Sequence, residues 1–291
     1  MLWARDGADM QVTRENTRRL SGHLLPDAVT VTTDFDTVPA GIPVLLAVPM
    51  QALRATCAAL GPHLADRPLI ACCKGMDLTT GNGPSAILAQ VTGATPAILT
   101  GPSFAHDIAR GMPTALMLAC ADRATGQHLQ QRLTTPVLRV YRSTDVAGAE
   151  LGGALKNVIA IAAGVVMGAG LGDSARAALM TRGFAEMTRL ALALGARAET
   201  LAGLSGFGDL VLTCTSPQSR NFGFGLSLGQ GVAFDPAVTV EGIATARAAL
   251  TRATALGIEM PVTAAVLALL DGRIRLGDAV TMLLSRPLKE E

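Results

Sequence analysis

The first half of the chain contains short runs of strand-forming residues, most of which are apolar along their whole length. The runs cover 42–48, 68–73, 96–100, 113–120 and 138–142. A strand that is apolar on both faces must be covered on both faces, so such runs are typical of a parallel sheet with helices on either side. Segments of helical composition lie between them, at 51–60, 84–91 and 124–134. The alternation predicts an α/β domain with a doubly wound parallel sheet.

The second half has a different pattern, in which Ala, Leu and Gly dominate long segments. Predicted helices cover 146–167, 174–194, 240–256, 262–271 and 276–284, and Gly195 is a suitable stop for the second of them. We therefore predict two domains, an α/β domain at 1–144 and an all-α domain at 145–291. The ligand site is expected in the cleft between them, at the carboxyl ends of the strands.

Composition narrows the class of protein. With 49% hydrophobic and 16% charged residues, the 291-residue chain is typical of folded globular proteins. A formal net charge of +1 gives no reason to expect nucleic acid as a partner. The longest uncharged apolar stretch, 158–171, is short for a bilayer span and contains three glycines, so we predict a buried helix running into a loop and no integral membrane protein.

The termini and the cysteines bear on location. The first seven residues lack the apolar region of a secretory signal, which predicts a cytoplasmic protein. The five cysteines are odd in number and show no C-x-x-C spacing, so reduced thiols are expected. None of the four histidines is paired at ligand spacing, and we predict no metal site.

Lysine usage is the strongest chemical signal in the sequence. Of 24 basic residues only Lys74, Lys156 and Lys289 are lysines, and the first two lie in apolar surroundings. Lys74 follows the run 68–73, and Lys156 interrupts the apolar segment 151–161. A partly desolvated ammonium can have its pKa brought toward neutrality, whereas guanidinium stays protonated. Lys74 and Lys156 are therefore candidate titratable amines, the alternative being that both reach the surface.

Three further clusters accompany these lysines. The segment 100–105 is a strand end followed by small residues, suited either to binding an anion or ribose or to an ordinary turn. Asp209, within 203–210, is a candidate for orienting and tuning a lysine, or for capping a helix. The segment 216–221 places a hydroxyl, a guanidinium and an amide together, which suits a phosphate but also a surface turn.

Family-level motifs follow one another along nearly the whole chain, at 46–53, 74–75, 101–105, 150–158, 172–179, 181–183, 208–214, 219–221 and 240–242. Among them are Gly101-Pro102-Ser103-Phe104-Ala105 and Gly153-Ala154-Leu155-Lys156-Asn157-Val158. In this order they resemble the bacterial NAD(P)-dependent glycerol-3-phosphate dehydrogenases. The resemblance implies a Rossmann-like domain followed by a helical domain. It also implies interconversion of sn-glycerol 3-phosphate and dihydroxyacetone phosphate, which supplies glycerol 3-phosphate for phospholipid synthesis.

Site residues are implied by the same resemblance. Lys156 is expected to exchange a proton with the C2 oxygen, Lys74 to polarise that oxygen, and Asp209 to act with them. The residues expected at the small phosphorylated substrate are Lys74, Gly101, Ser103, Lys156, Asp209, Ser219, Arg220 and Asn221. Those expected at the dinucleotide are Arg5, Lys74, Ala105, Arg220, Thr239 and Glu241. A homodimer is compatible with these features.

One departure concerns the amino terminus. Members of the family begin with a strand and a G-x-G-x-x-G loop that holds the cofactor pyrophosphate, and this sequence contains no such loop. Residues 1–5 match the end of the family's second strand, which predicts a domain truncated by about one βα unit, with weak folding or weak cofactor binding. A start codon assigned too late, or a degraded copy, would explain it.

The cofactor preference rests on Arg5, which follows that strand. An acid at this place binds a free ribose 2′-hydroxyl, whereas arginine suits a 2′-phosphate. We therefore predict that NADPH is preferred to NADH, although NAD is also a possible cofactor. The alternative is that Arg5 is only a solvated charge and has no role in cofactor binding.

Two other functions remain open at this point. The β-hydroxyacid dehydrogenases also place a lysine on the first long helix after the sheet, but their substrates carry a carboxylate. The cluster at 219–221 favours a phosphate instead. A non-catalytic remnant is the second alternative, because the pyrophosphate loop is missing.

Overall fold

The computed structural model describes residues 1–5, 7–93 and 95–279, which form two β-sheets and a set of helices. The strands are β1 Leu2–Trp3, β2 Val31–Thr32, β3 Val44–Leu46, β4 Leu69–Ala71, β5 Ala97–Thr100, β6 Thr114–Cys120 and β7 Leu138–Ser143. The first helices are α1 Ala8–Thr13, α2 Met50–Leu60, α3 Pro84–Thr92, α4 Ala105–Ala109 and α5 Arg123–Leu133. The later helices are α6 Val146–Gly168, α7 Gly172–Ala193, α8 Ala198–Ala202, α9 Asp209–Thr215, α10 Arg220–Gln230, α11 Glu241–Ala255 and α12 Pro261–Leu270.

The larger sheet has the order β3-β4-β5-β6-β7 and is covered on both faces. One face packs on α2, α3 and the start of α6 through Leu53, Leu88 and Ala149. The other face packs on α5 around Leu129 and Val140. Helices on both sides explain the unbroken apolar runs and confirm the predicted fold class.

One predicted feature of this sheet is wrong, because β6 runs antiparallel to β5 while the other pairs are parallel. A parallel crossover needs about a dozen residues or more that pack a helix on the sheet. Residues 101–113 contain an irregular loop and only the five-residue helix α4, so the chain doubles back. An apolar run shows that a strand is buried but not which way it points.

The strands β1 and β2 form a separate two-stranded parallel sheet. In the described residues no ladder of hydrogen bonds joins it to the larger sheet. Trp3 of β1 packs edge-on against Phe35, with ring centroids 5.5 Å apart, and Leu45 of β3 is exposed. The expectation that a strand and glycine loop belong before Met1 stays a prediction.

Helix α6 is the centre of the helical half, and residues 148–166 are all buried. Among the described residues it is the one helix with the length and composition to cross a membrane, but 89% of its apolar window is buried inside the protein. It therefore acts as a core helix, as predicted for 158–171. Helices α7, α9, α10 and α11 pack around it.

The remaining helix predictions are mostly confirmed. Helices α7, α11 and α12 match 174–194, 240–256 and 262–271 within two residues. The predicted helix at 276–284 is helical at 276–279, and its remainder lies outside the described residues. Helices α8, α9 and α10 were not predicted. We propose a domain boundary between residues 144 and 145, where β7 gives way to α6.

Candidate active site

The site lies where the carboxyl ends of β4 and β5 meet α6 and α9. Lys74 comes three residues after the end of β4, and Gly101 directly follows β5. Helix α6 brings Lys156, and α9 begins at Asp209. Parallel strands and a buried helix thus bring together residues that lie 135 positions apart in the sequence.

Asp209 is hydrogen-bonded to both lysines. Its Oδ2 accepts a hydrogen bond of 2.6 Å from Lys74 Nζ, and its Oδ1 accepts one from Lys156 Nζ. Lys74 Nζ also donates to the carbonyl oxygen of Gly101, at 3.2 Å. Asp209 is fully buried and Lys156 is 6% exposed, whereas Lys74 is half-buried. We call Lys74, Lys156 and Asp209 the lysine–aspartate trio.

Burial controls the protonation of Lys156. Desolvation, and then the positive charge of Lys74, lower the pKa of Lys156 from 10.5 to about 7, while Asp209 acts in the opposite direction. One carboxylate cannot balance two ammonium groups in a buried site, so the more buried lysine gives up its proton most readily. The trio therefore contains an amine that can both accept and donate a proton near neutral pH.

An unusual turn directs Asp209 toward the lysines. Residues Leu204–Gly208 form one π-helical turn that leads into α9. Gly206 permits this turn, because a Cβ there would lie 2.7 Å from Leu201 Cα. Single π turns are rare and occur frequently at functional sites. In the glycine-rich segment that contains Asp209, the structure thus shows a backbone turn as well as a carboxylate.

Thr213 belongs to the same network, although no role was predicted for it. Its Oγ1 is 2.6 Å from Lys156 Nζ and 3.4 Å from Asp209 Oδ1. Thr213 lies four residues after Asp209, so both side chains are on one face of α9. This spacing was the available signal, but it carries meaning only once α9 is known to face Lys156.

The residues predicted for the phosphate already have partners within the protein. Ser219 Oγ caps α10 by accepting a hydrogen bond from Phe222 N at 3.2 Å, and Asn221 Oδ1 accepts one from Gly242 N at 2.9 Å. Arg220 is exposed, and its charge opposes the burial that raises the pKa of Glu241. The cluster at 219–221 is thus the start of a helix rather than a surface turn, with Arg220 as its outward charge.

The residues predicted for the cofactor are less closely connected. Glu241 Oε1 accepts a hydrogen bond from Met50 N at 3.4 Å, which links α11 to the start of α2. Arg5 and Ala105 are exposed and Thr239 is half-buried, as is Ser103, which was predicted for the substrate. Within the described part of the chain, no hydrogen bond joins these four residues to the trio or to Arg220.

Two glycines with left-handed backbone conformations lie at the edge of the sheet beside the trio. Gly75 and Gly101 have φ of +144° and +136°, which side chains rarely adopt. A Cβ at Gly75 would lie 3.2 Å from Met50 Cβ, and one at Gly101 would lie 3.3 Å from Leu116 Cδ2. Glycine at these two positions therefore lets the chain turn tightly against Met50 and Leu116 at the strand ends, which is the edge where open α/β sheets bind nucleotides.

All five cysteines are free thiols. Four are buried and Cys72 is half-buried. Burial raises the pKa of Cys72 to about 11 and that of Cys73 to about 12, so the two thiols next to Lys74 are neutral at physiological pH. That the thiols are reduced stays a prediction.

Comparison with known proteins identifies the family. Residues 1–126 match the N-terminal family model of the NAD-dependent glycerol-3-phosphate dehydrogenases, and residues 145–281 match the C-terminal model. Relatives named glycerol-3-phosphate dehydrogenase [NAD(P)+] from Ruegeria sp. strain TM1040 and Cereibacter sphaeroides are each 62% identical over 100% of this chain and 92% of their own length.

A solved structure supports the same assignment. The glycerol-3-phosphate dehydrogenase of Coxiella burnetii is 35% identical, with a TM-score of 0.92, and the match covers 98% of this chain and 91% of that one. Both halves of the fold and nearly all of the sequence thus agree with one family. The chain belongs to the NAD-dependent glycerol-3-phosphate dehydrogenases.

Proposed function

We propose that this chain interconverts sn-glycerol 3-phosphate and dihydroxyacetone phosphate, with Lys156 as the proton carrier. One observation carries the proposal: Lys156 Nζ is buried against Asp209 and Thr213, and its pKa is lowered to about 7. A secondary alcohol is oxidised when its C2 hydrogen leaves as hydride and its hydroxyl proton goes to a base. That base must have a pKa near the working pH.

Each member of the trio has a separate task in this scheme. In oxidation neutral Lys156 accepts the hydroxyl proton, and in reduction the protonated amine returns it. Lys74 donates a hydrogen bond to the same oxygen as negative charge develops on it. Asp209 holds both nitrogens, so that neither has to reorganise during the reaction. The bound nicotinamide supplies or accepts the hydride.

Recognition of the phosphate is assigned chiefly to Arg220. A guanidinium can bind phosphate oxygens with two parallel hydrogen bonds. Ser219 and Asn221 orient Arg220, since one caps α10 and the other binds the turn at Gly242. Gly101 and Ser103 complete the substrate site from the sheet side, and Ala105, Thr239 and Glu241 are proposed to contact the dinucleotide. Family membership favours this substrate over a 3-hydroxyacid.

The proposal is tested by assaying the purified chain for dihydroxyacetone phosphate reduction, with 3-hydroxyacids as competing substrates. Lys156→Ala is expected to lower kcat by about 10²–10⁴-fold, as for loss of a general acid, while dinucleotide binding is largely spared. Cofactor binding is followed by fluorescence titration. Turnover retained in Lys156→Ala, or oxidation of 3-hydroxyacids in preference to glycerol 3-phosphate, would contradict the proposal.

The family uses NAD or NADP, and we propose that this chain prefers NADPH. The support is Arg5, which is exposed just after β1, where a guanidinium suits a 2′-phosphate. Arg5→Ala is expected to raise KM for NADPH about tenfold with little change for NADH. A wild-type preference for NADH would remove this claim.

The setting of the enzyme is proposed from the family alone. We propose that it works in the cytoplasm as a homodimer and supplies glycerol 3-phosphate for phospholipid synthesis. Analytical ultracentrifugation of the purified chain tests the dimer, and a monomer at micromolar concentration would exclude it.

A further inference from the structure

A second buried carboxylate lies on α6 at the junction of the two halves. Glu150 is 9% exposed, and its Oε1 accepts a hydrogen bond of 2.6 Å from the backbone N–H of Ser85. Ser85 is in the first turn of α3, where backbone N–H groups lack partners within the helix. Glu150 therefore caps a helix of the sheet half from a helix of the other half.

Gly83 lies directly against the carboxylate of Glu150. A Cβ at Gly83 would lie 2.7 Å from Glu150 Cδ, which is closer than two non-bonded carbon atoms approach. The backbone of Gly83 is extended, with φ of −78° and ψ of 171°, so any residue could adopt it. A side chain at this position would therefore have to displace the Glu150 carboxylate.

The segment that ends at Gly83 begins at Lys74. Within it Asp77 binds Thr80 through both N–H and hydroxyl groups, and Asp77 N donates to Asn82 O at 2.9 Å. Gln51 braces it from α2, since its Nε2 donates to Met76 O at 2.8 Å and its Oε1 accepts from Leu78 N at 3.1 Å. We call residues 74–83 the lysine loop. These hydrogen bonds connect the loop to α2 and tie its two ends together.

Glu150 and Lys156 lie on the same helix, six residues apart, which is roughly 9 Å along the axis. Helix α6 therefore holds one reacting amine directly and holds the far end of the lysine loop through Glu150. We propose that Glu150 is a positioning residue that sets the distance between Lys74 and Lys156. This rests on the catalytic roles proposed above for the two lysines.

The Glu150 carboxyl group can accept the hydrogen bond from Ser85 whether it is charged or neutral. Burial raises the pKa of Glu150 to about 7, and the hydrogen bonds from Ser85 oppose this shift. Cys73, two residues after β4, is a titratable group that feels the charge of Glu150, and its thiol is neutral because burial raises its pKa to about 12. A glutamine can replace the acceptor oxygen without the charge.

The test compares three variants of the full chain in dihydroxyacetone phosphate reduction. Glu150→Ala is expected to lower kcat about tenfold or more, because small misplacements of reacting groups are costly. In the reductive direction kcat falls as Lys156 loses its proton, and we call this fall the pH limb of kcat. Glu150→Ala is also expected to move the pH limb upward by about one unit, because Lys74 then lowers the pKa of Lys156 less. Glu150→Gln is expected to retain kcat within about threefold and to leave the limb in place.

Glu186 offers a matched control. It is fully buried on α7 and caps α12, accepting hydrogen bonds from Val262 N at 2.7 Å and Thr263 N at 2.9 Å. It does the same structural work as Glu150 but at a distance from the lysine loop. Glu186→Ala is expected to lower Tm without moving the pH limb.

The outcomes separate the possibilities. A pH limb that stays in place in Glu150→Ala, as in Glu186→Ala, would show a structural role only and overturn the proposal. If Glu150→Ala does not fold, Gly83→Ala pushes the carboxylate away with an allowed backbone, and the same upward shift is expected. A limb unmoved in Gly83→Ala would also overturn it. If the wild-type chain does not reduce dihydroxyacetone phosphate at all, the proposed function itself is overturned.

Discussion

At the scale of single residues, the site depends on two amines sharing one carboxylate. Asp209 pairs with both lysines in a buried site, so the trio carries a net positive charge when both amines are protonated. The two neighbours act on Lys156 in opposite directions, since Lys74 lowers its pKa and Asp209 raises it. This opposition distinguishes a tuned amine from a merely buried one.

Opposite substitutions are therefore expected to have opposite effects. In Lys74→Met the pKa of Lys156 rises, and the pH limb of the residual kcat moves upward. In Asp209→Asn it falls, and the limb moves downward. Each shift is expected to be about 1–3 pH units, as for a charge within hydrogen-bond distance. Both are measured from kcat for dihydroxyacetone phosphate reduction between pH 5 and pH 10.

Asp145 provides the control for these variants. It is buried at the start of α6 and caps that helix through Gly148 N at 2.8 Å, away from both lysines. Asp145→Asn is expected to affect stability but not the limb. Shifts of the same sign in Lys74→Met and Asp209→Asn would contradict the account.

The sequence predicted the members of the trio but not their neighbours. Lys74 and Lys156 stand out because charge is rare in apolar runs, and Asp209 is the single acid in its segment. Thr213 and Glu150 give no such signal, because their importance depends on partners 57 and 65 positions away. Ser219 and Asn221 were predicted for their chemistry, but the helix start that engages their side chains could not be foreseen from composition.

At the scale of elements, glycine has the opposite meaning from the one its propensity suggests. Glycine lowers helix propensity, yet α10, for which no helix was predicted, contains three glycines. In the structure Gly164 and Gly168 of α6 face Gly225 and Gly229 of α10. A Cβ on Gly168 would lie 3.0 Å from Gly229 Cα, so these glycines allow the two backbones to approach closely.

Two glycines of α10 are expected to respond differently to alanine. A Cβ at Gly225 would lie 2.8 Å from the carbonyl carbon of Ile161, so Gly225→Ala is expected to destabilise the protein by about 1–3 kcal/mol through overpacking. A Cβ at Gly223 would meet Phe234 Cε2 at an ordinary 3.9 Å. Gly223→Ala is therefore expected to stabilise by about 0.5–1 kcal/mol. Urea denaturation measures both, and equal effects would exclude the close-packing explanation.

At the scale of the whole molecule, the order of strands and helices could be predicted, but the geometry between them could not. Continuous apolar runs specified a sheet covered on both faces, and the change of pattern after residue 144 specified the helical half. The antiparallel direction of β6 follows from the connection 101–113, which is too short to pack a crossover helix on the sheet. The separation of β1 and β2 from the larger sheet could not be predicted, because the hydrophobic pattern indicates where strands lie but not which distant strand each one pairs with.

Stability is expected to depend on pH through Lys156. Its pKa is near 7 when folded and 10.5 when unfolded, so between these values the unfolded chain binds more protons and stability rises with pH. Lys156→Met removes this dependence. The Tm of the variant relative to wild type is therefore expected to be about 2–6 °C higher at pH 6 than at pH 9. A difference independent of pH, measured by calorimetry, would argue against a depressed pKa.

The claim that Lys156 is the proton carrier is tested most directly by measuring single-turnover rates of the wild-type chain in both directions across pH 5–10. With Lys156 as the carrier, reduction of dihydroxyacetone phosphate slows and oxidation of glycerol 3-phosphate accelerates as pH rises through about 7. Titration of the substrate phosphate would move both rates the same way, so opposite movement is specific to a proton carrier. Rates that are flat, or that move together in both directions, would contradict the account.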